Sequence, residues 1–210
     1  MYAQKPLKFF LDKLCSESPE PGGGSASALT GATAASLAGM LSALTVSNKK
    51  YQQVSGEMKD LLNKAGSLKD QLLELLQEDT EAFEDAARAF KMPKTTQEEK
   101  KARARAIDRG LKKATEVPLS IMEKCLEVGR LASVAVKKGN QMAISDGAIS
   151  ALFAEAAAKG AMVNVRINFS WLKDRQYIEE TEKKLGAVLD ELKVIRREAM
   201  SYTLEKLKKD

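Results

Sequence analysis

Histidine is absent from all 210 residues. That removes Ser-His-Asp and Cys-His catalysis, the His-Glu-x-x-His zinc site and any imidazole pH switch. Acid–base chemistry must then run on a carboxylate, lysine, tyrosine or cysteine with a shifted pKa. Aromatics are scarce at 5%, prolines number five, and runs rich in Val, Ile, Thr and aromatics are nearly missing. A sheet has little to build on. The two cysteines, Cys15 and Cys125, lie far apart with no metal-ligand spacing, so no metal is expected. With no secretory signal at the start, they suggest free thiols and a cytoplasmic protein.

Ala, Leu, Lys and Glu take the place of what is missing, and they favour helix. Hydrophobic residues at 44% and charged residues at 30% describe a globular chain. The expectation is an all-α fold, one domain over 1–210, an antiparallel bundle of long helices. A short helix is expected over 5–16, and a second from Ser25 to Asn48. A third covers Tyr51 to Lys91, with a weak point at Gly66-Ser67. A capping box at Thr96 and Glu99 starts a fourth, which runs towards Lys138 with a kink at Pro118. Two more cover about 145–169 and 174–208. The net charge of +5 is mild. Spread over helix faces it reads as solvation rather than a nucleic-acid surface.

The stretch "PGGGSASALTGATAASLAGML", opening at Pro21, is unusual. No charged side chain occurs from Pro21 to Asn48. It lacks the Gly-Lys-Ser/Thr of a phosphate loop, and no strand precedes it. It is long enough to span a membrane. Its content is wrong for lipid, however: between Ser25 and Ser47 lie five serines, three threonines and two glycines. No comparable second segment is expected. A helix buried on most sides in a bundle fits better, with small residues allowing close backbone approach. Ser25 is its natural N-cap. Gly22, Gly23 and Gly24 would leave the helix N-terminus open to an anion or a ring carbonyl. The alternative is a plain flexible turn.

In "LKDQLLELLQEDTEAFEDAARAF" the residues Leu72, Leu76, Asp79, Phe83, Ala86 and Phe90 share one helical stripe. Asp79 interrupts it. A carboxyl on an apolar face without a cation has a raised pKa, which suits proton transfer near neutrality. A salt bridge to another helix is the alternative. Further on, Asn164 and Asn168 stand one turn apart on an otherwise apolar helix. Their carboxamides suit a planar heterocycle with amide and amine edges; they could equally bridge two helices.

"PGGGSASALTGATAASLAGML", then "EDTEAF", "GNQMAISD" and "NVRIN", in that order, resemble the cyclodeaminase domain of formiminotransferase-cyclodeaminase. They also resemble the stand-alone methenyltetrahydrofolate cyclohydrolases of that family. The resemblance implies an all-helical homodimer or higher homo-oligomer with the folate site near subunit contacts. It implies Asp79 as the catalytic residue, and a tetrahydrofolate derivative as substrate, with no metal, nucleic acid or membrane partner. Gly22, Gly23, Gly24, Ser25, Lys49, Asn140, Asp146, Asn164 and Asn168 match its substrate-binding positions, and Gly139 and Ser145 fall in the same motifs. The first expectation is cyclodeaminase activity, forming 5,10-methenyltetrahydrofolate and ammonia. The alternative is hydrolysis of that methenyl bridge, and a further alternative is a non-catalytic helical scaffold. The two-domain members carry a formiminotransferase for which these residues leave no room, so a separate chain is its expected source. Lys49, Arg103, Arg105 and Arg166 are expected partners for glutamyl carboxylates.

Overall fold

The computed structural model describes residues 1–208, and among them there is no strand. Six helices follow in order: α1 (Leu7–Leu14), α2 (Gly23–Val46), α3 (Ser55–Phe90), α4 (Gln97–Lys138), α5 (Ile144–Phe169) and α6 (Arg175–Leu207). Short 3-10 turns at Tyr2–Gln4, Lys49–Val54 and Gln141–Ala143 complete the set. α3 passes through Gly66-Ser67 without a break. The capping box at the start of α4 is present, with Thr96 and Glu99 each satisfying the other's backbone amide.

α2 and α5 form the centre. α2 packs on α3, α4 and α5; α5 packs on α2, α4 and α6. They run antiparallel, since Gly147 of α5 lies against Leu41 and Gly160 against Ser27. Small residues allow this closeness: Ala28, Ala34, Ala35 and Ala38 are fully buried. The hydroxyls of Ser42 and Thr45 bond back to carbonyls four residues earlier, so their burial leaves neither hydroxyl unpaired. Ser150 donates to the Ala34 carbonyl at 2.7 Å and ties the two central helices together.

Contrary to the expectation of a single such segment, two helical stretches, Gly23–Val46 and Gln141–Phe169, are long and apolar enough to cross a membrane. Half of each is buried inside the bundle. Their apolar content serves the core.

Periodicity gives no sign of one buried carboxylate. Glu155 of α5 is 4% exposed. It accepts from Arg196 of α6 at 2.6 Å and pairs with Lys159 at 2.8 Å. Burial opposes its charge, but the two cations outweigh that and hold its pKa below the ordinary range. It ties α5 to α6.

Candidate active site

Asp79 stands where the N-terminus of α2 meets α3. The N-cap of α2 is Gly22, with no side-chain cap, and the helix begins at Gly23. Ser25 is therefore not the cap that the sequence suggested. It lies inside the first turn, fully buried, and its hydroxyl donates to Asp79 Oδ2 at 2.8 Å. Thr80 Oγ1 and the Leu76 carbonyl lie 3.4 and 3.3 Å from the same hydroxyl. The close approach depends on Gly24. A methyl group there would collide with the Asp79 carboxylate, whereas one on Gly23 would make ordinary contact with the Asn164 carboxamide. At Gly22 nothing lies nearer than the Pro19 carbonyl at 4.0 Å. None of the three glycines has a positive φ. Space at Gly24, not backbone freedom, is what this segment requires.

Among the described residues no lysine or arginine pairs with Asp79. Desolvation raises its pKa, and the Ser25 hydroxyl and backbone amide only partly offset this by favouring the charged form. Among the described residues the structural salt bridge considered from sequence does not form. Asp79 is thus a carboxyl poised to take up and release a proton at higher pH than an exposed aspartate. The buried Cys125 thiol is pushed up to about 12 and offers no thiolate.

Asp79 opens into a cavity of about 400 Å³ between α3, α4 and α5. Phe83, Leu111 and Ile167 give it apolar walls, and Asn164, Asn168 and Asp79 are its polar groups. Trp171 meets Phe90 edge to face, ring centroids 5.8 Å apart, at the cavity's edge. Both rings are partly exposed, at 63% and 38%. Phe90 belongs to the stripe visible in sequence, but Trp171 does not, because its isolation in the turn after α5 leaves no periodic signal. A half-open apolar slot, an aromatic edge and a few convergent polar groups suit a flat heterocycle. A second hollow, between α3 and α4, is lined by Asp85, Arg88, Arg109 and Lys113. There Asp85 pairs with both Arg88 and Lys113, which fits a solvated charge cluster rather than a reaction site.

The structure divides the residues expected at the site. Gly22 to Ser25, Asp79, Asn164 and Asn168 converge at one end of the central helix pair. Lys49, Asn140 and Asp146 gather at the other end: Asn140 donates its backbone amide to Thr45 near the C-terminus of α2, and its side chain caps Met142. Asp146 lies in the first turn of α5, and Lys49 opens the turn after α2. Ser25, which touches Asp79, and Thr45, which touches Asn140, stand 20 residues apart on α2, about 30 Å at helical rise. Of the expected glutamyl partners, Arg103 caps the Phe90 carbonyl at 3.0 Å, and Arg166 is held by both oxygens of Glu182.

Fold and cavity together define an all-helical protein with a half-open slot, sized for a small molecule, beside a carboxyl whose pKa burial raises. The model of the formiminotransferase-cyclodeaminase family matches residues 6–187, and the chain belongs to that family. It is 41% identical over 191 residues to a methenyltetrahydrofolate cyclohydrolase of Methylorubrum extorquens, covering 91% of this chain and 92% of that one. It is 31% identical over 189 residues to the formimidoyltransferase-cyclodeaminase of Gallus gallus, covering 90% of this chain but only 35% of that longer protein. Among solved structures, the formiminotetrahydrofolate cyclodeaminase of Thermotoga maritima superposes with a TM-score of 0.81 at 25% identity, over 99% of this chain and 98% of that one.

Proposed function

We propose that the chain hydrolyses the methenyl bridge of 5,10-methenyltetrahydrofolate, with Asp79 as the proton carrier. The observation that carries the reading is a cavity-lining carboxyl whose pKa is raised by burial and which no cation among the described residues neutralises. The bridge is a cation, and an unpaired carboxylate attracts it. Water adds to the bridge carbon while Asp79 takes one of its protons. The resulting tetrahedral carbon collapses to a formyl group. Its bond to one ring nitrogen breaks, Asp79 returns the proton to that nitrogen, and the hydroxyl proton leaves to solvent. Similarity along nearly the whole length of both chains to a cyclohydrolase supports this choice over the first expectation.

Ammonia release is the second reading, favoured by the cyclodeaminase with the matching fold. There N10 attacks a formimino carbon on N5 and ammonia departs. The same carboxyl would take the N10 proton and hand one to the leaving nitrogen. A separate formiminotransferase would supply that substrate. Two cuvettes decide between the readings, because the conjugated methenyl cation absorbs in the near ultraviolet. Enzyme-dependent decay of methenyltetrahydrofolate absorbance is the expected result. If absorbance instead grows from formiminotetrahydrofolate with ammonia release, and methenyltetrahydrofolate stays untouched, the hydrolytic reading is wrong.

Assembly into a homodimer or higher homo-oligomer belongs to the same proposal. In one chain Asn140 stands about 30 Å along α2 from Asp79, with Lys49 and Asp146 at the same end, and a second copy running antiparallel could bring one group to the other. Light scattering at assay concentration is expected to return at least twice the 22.9 kDa chain mass. A monomer that retains full turnover would end this part of the proposal.

A further inference from the structure

α4 carries Pro118 in its interior, buried, and the helix continues through it. Proline has no N–H, so the carbonyl four residues earlier, that of Ala114, loses its regular helical donor. Ala114 is half-buried at the cavity wall, so a carbonyl there that loses its helical donor gains from another. In this structure the donor comes from another helix: the Asn168 amine of α5 reaches the Ala114 oxygen at 2.8 Å. Because a carbonyl can only accept, this contact also dictates which end of the Asn168 carboxamide faces α4. The oxygen is turned the other way, and no protein group among the described residues donates to it. Asn164, one turn earlier, is oriented in the same manner, its amine on the Gly160 carbonyl at 3.0 Å. Both residues line the cavity that holds Asp79.

We propose that Pro118 and Asn168 work as one device: the proline vacates the Ala114 carbonyl so that it can anchor the Asn168 amine, and the anchored carboxamide presents its oxygen to the cavity as a hydrogen-bond acceptor. Together with Asn164 it selects a ligand edge rich in N–H donors, such as the amine and ring N–H of an aminopyrimidine fused in a pterin. Asn168 is then a specificity residue and Pro118 a positioning residue acting through it. The proposal rests on the folate reading above for the identity of the ligand. The geometry of the anchor does not depend on whether the bridge is hydrolysed or formed.

The test is a double-mutant cycle in the full chain, read as KM, kcat and as the Kd of unreactive tetrahydrofolate from its thermal stabilisation of the protein. Asn168→Ala is expected to raise KM and Kd about tenfold, the size of one lost hydrogen bond. Pro118→Ala restores the backbone N–H, which competes for Ala114 and releases the carboxamide. It should raise KM and Kd by a similar factor while kcat changes less than about threefold. In the double variant the loss should be no larger than in Asn168→Ala alone. A proline that merely shapes α4 would leave KM unmoved, and multiplied losses would mean two independent effects; either result overturns the proposal. Should Pro118→Ala fail to fold, Asn168→Asp tests the device independently. It keeps an acceptor oxygen and removes the donor to Ala114, so its Kd should rise as in Asn168→Ala, and a Kd equal to that of the parent overturns the device. If the parent chain neither turns over nor binds any tetrahydrofolate, it is the folate reading that has failed, and the ligand assigned here falls with it.

Discussion

Asp79→Asn should fold normally and lose about 100-fold or more in turnover, the usual scale of a lost acid–base group. The carboxamide keeps the shape of the side chain and a partner for the Ser25 hydroxyl, but it cannot carry a proton. A folded variant with near-normal turnover would remove Asp79 from the mechanism. A second readout separates a catalytic carboxyl from a structural one. Burial raises the pKa of Asp79 in the folded protein. A group so shifted holds its proton more tightly folded than unfolded. Its favourable contribution is fully present below the unfolded pKa and is lost as pH rises through the folded value. At neutral pH the charged Asp79 therefore weighs against the fold, and Asp79→Asn should melt no lower than the parent. As pH falls below the ordinary aspartate range, that relative advantage should disappear. A salt-bridged aspartate would give the opposite sign, losing stability at neutral pH on substitution. The same shift places the acid limb of the parent's pH–rate profile above that of an exposed carboxyl, and the variant's residual activity should lack it.

The smallest substitution with a large expected effect is Gly24→Ala. The added methyl has no room beside the Asp79 carboxylate, so either α2 moves or the carboxyl does. Breaking the 2.8 Å bond from Ser25 and displacing Asp79, the proposed proton carrier, should cost about 100-fold in turnover, on the scale of the general acid–base step itself. Overpacking should cost about 1–3 kcal/mol in stability. The neighbours supply internal controls. Gly23→Ala meets Asn164 at an ordinary 3.4 Å, and its effect should fall mainly on substrate binding. Gly22→Ala faces open space and should be close to silent. Equal losses at all three positions would show that the glycine run acts as a flexible turn. A harmless Gly24→Ala would show that Asp79 does not need its present position.

Much of this is legible along the chain. Helical periodicity, capping signals and the near-absence of strand-forming residues mark six helices with boundaries within a few residues, because such signals are local and the chain repeats them often. The same periodicity singles out Asp79, since a single carboxyl on an apolar stripe is visible in one helix read alone. The run of small residues announces a helix packed on most sides, and α2 is that helix. The lack of histidine narrows proton transfer to a carboxyl, lysine, tyrosine or cysteine before any fold is known.

Other features depend on which helix lies against which. Ser25 looks like an N-cap because serine before an apolar run usually is one. Only the approach of α3 turns its hydroxyl to Asp79. Three consecutive glycines are equivalent in sequence, and the position of one carboxylate makes Gly24 different from the other two. Lys49, Asn140 and Asp146 belong to the same set of motifs as Asp79, yet the length of α2 holds them at the far end of the bundle in one chain. Pro118 can be read as a place where α4 loses a hydrogen bond. That Asn168, fifty residues later, fills it is a property of the α4–α5 contact, because a freed carbonyl accepts whichever donor the packing brings within reach.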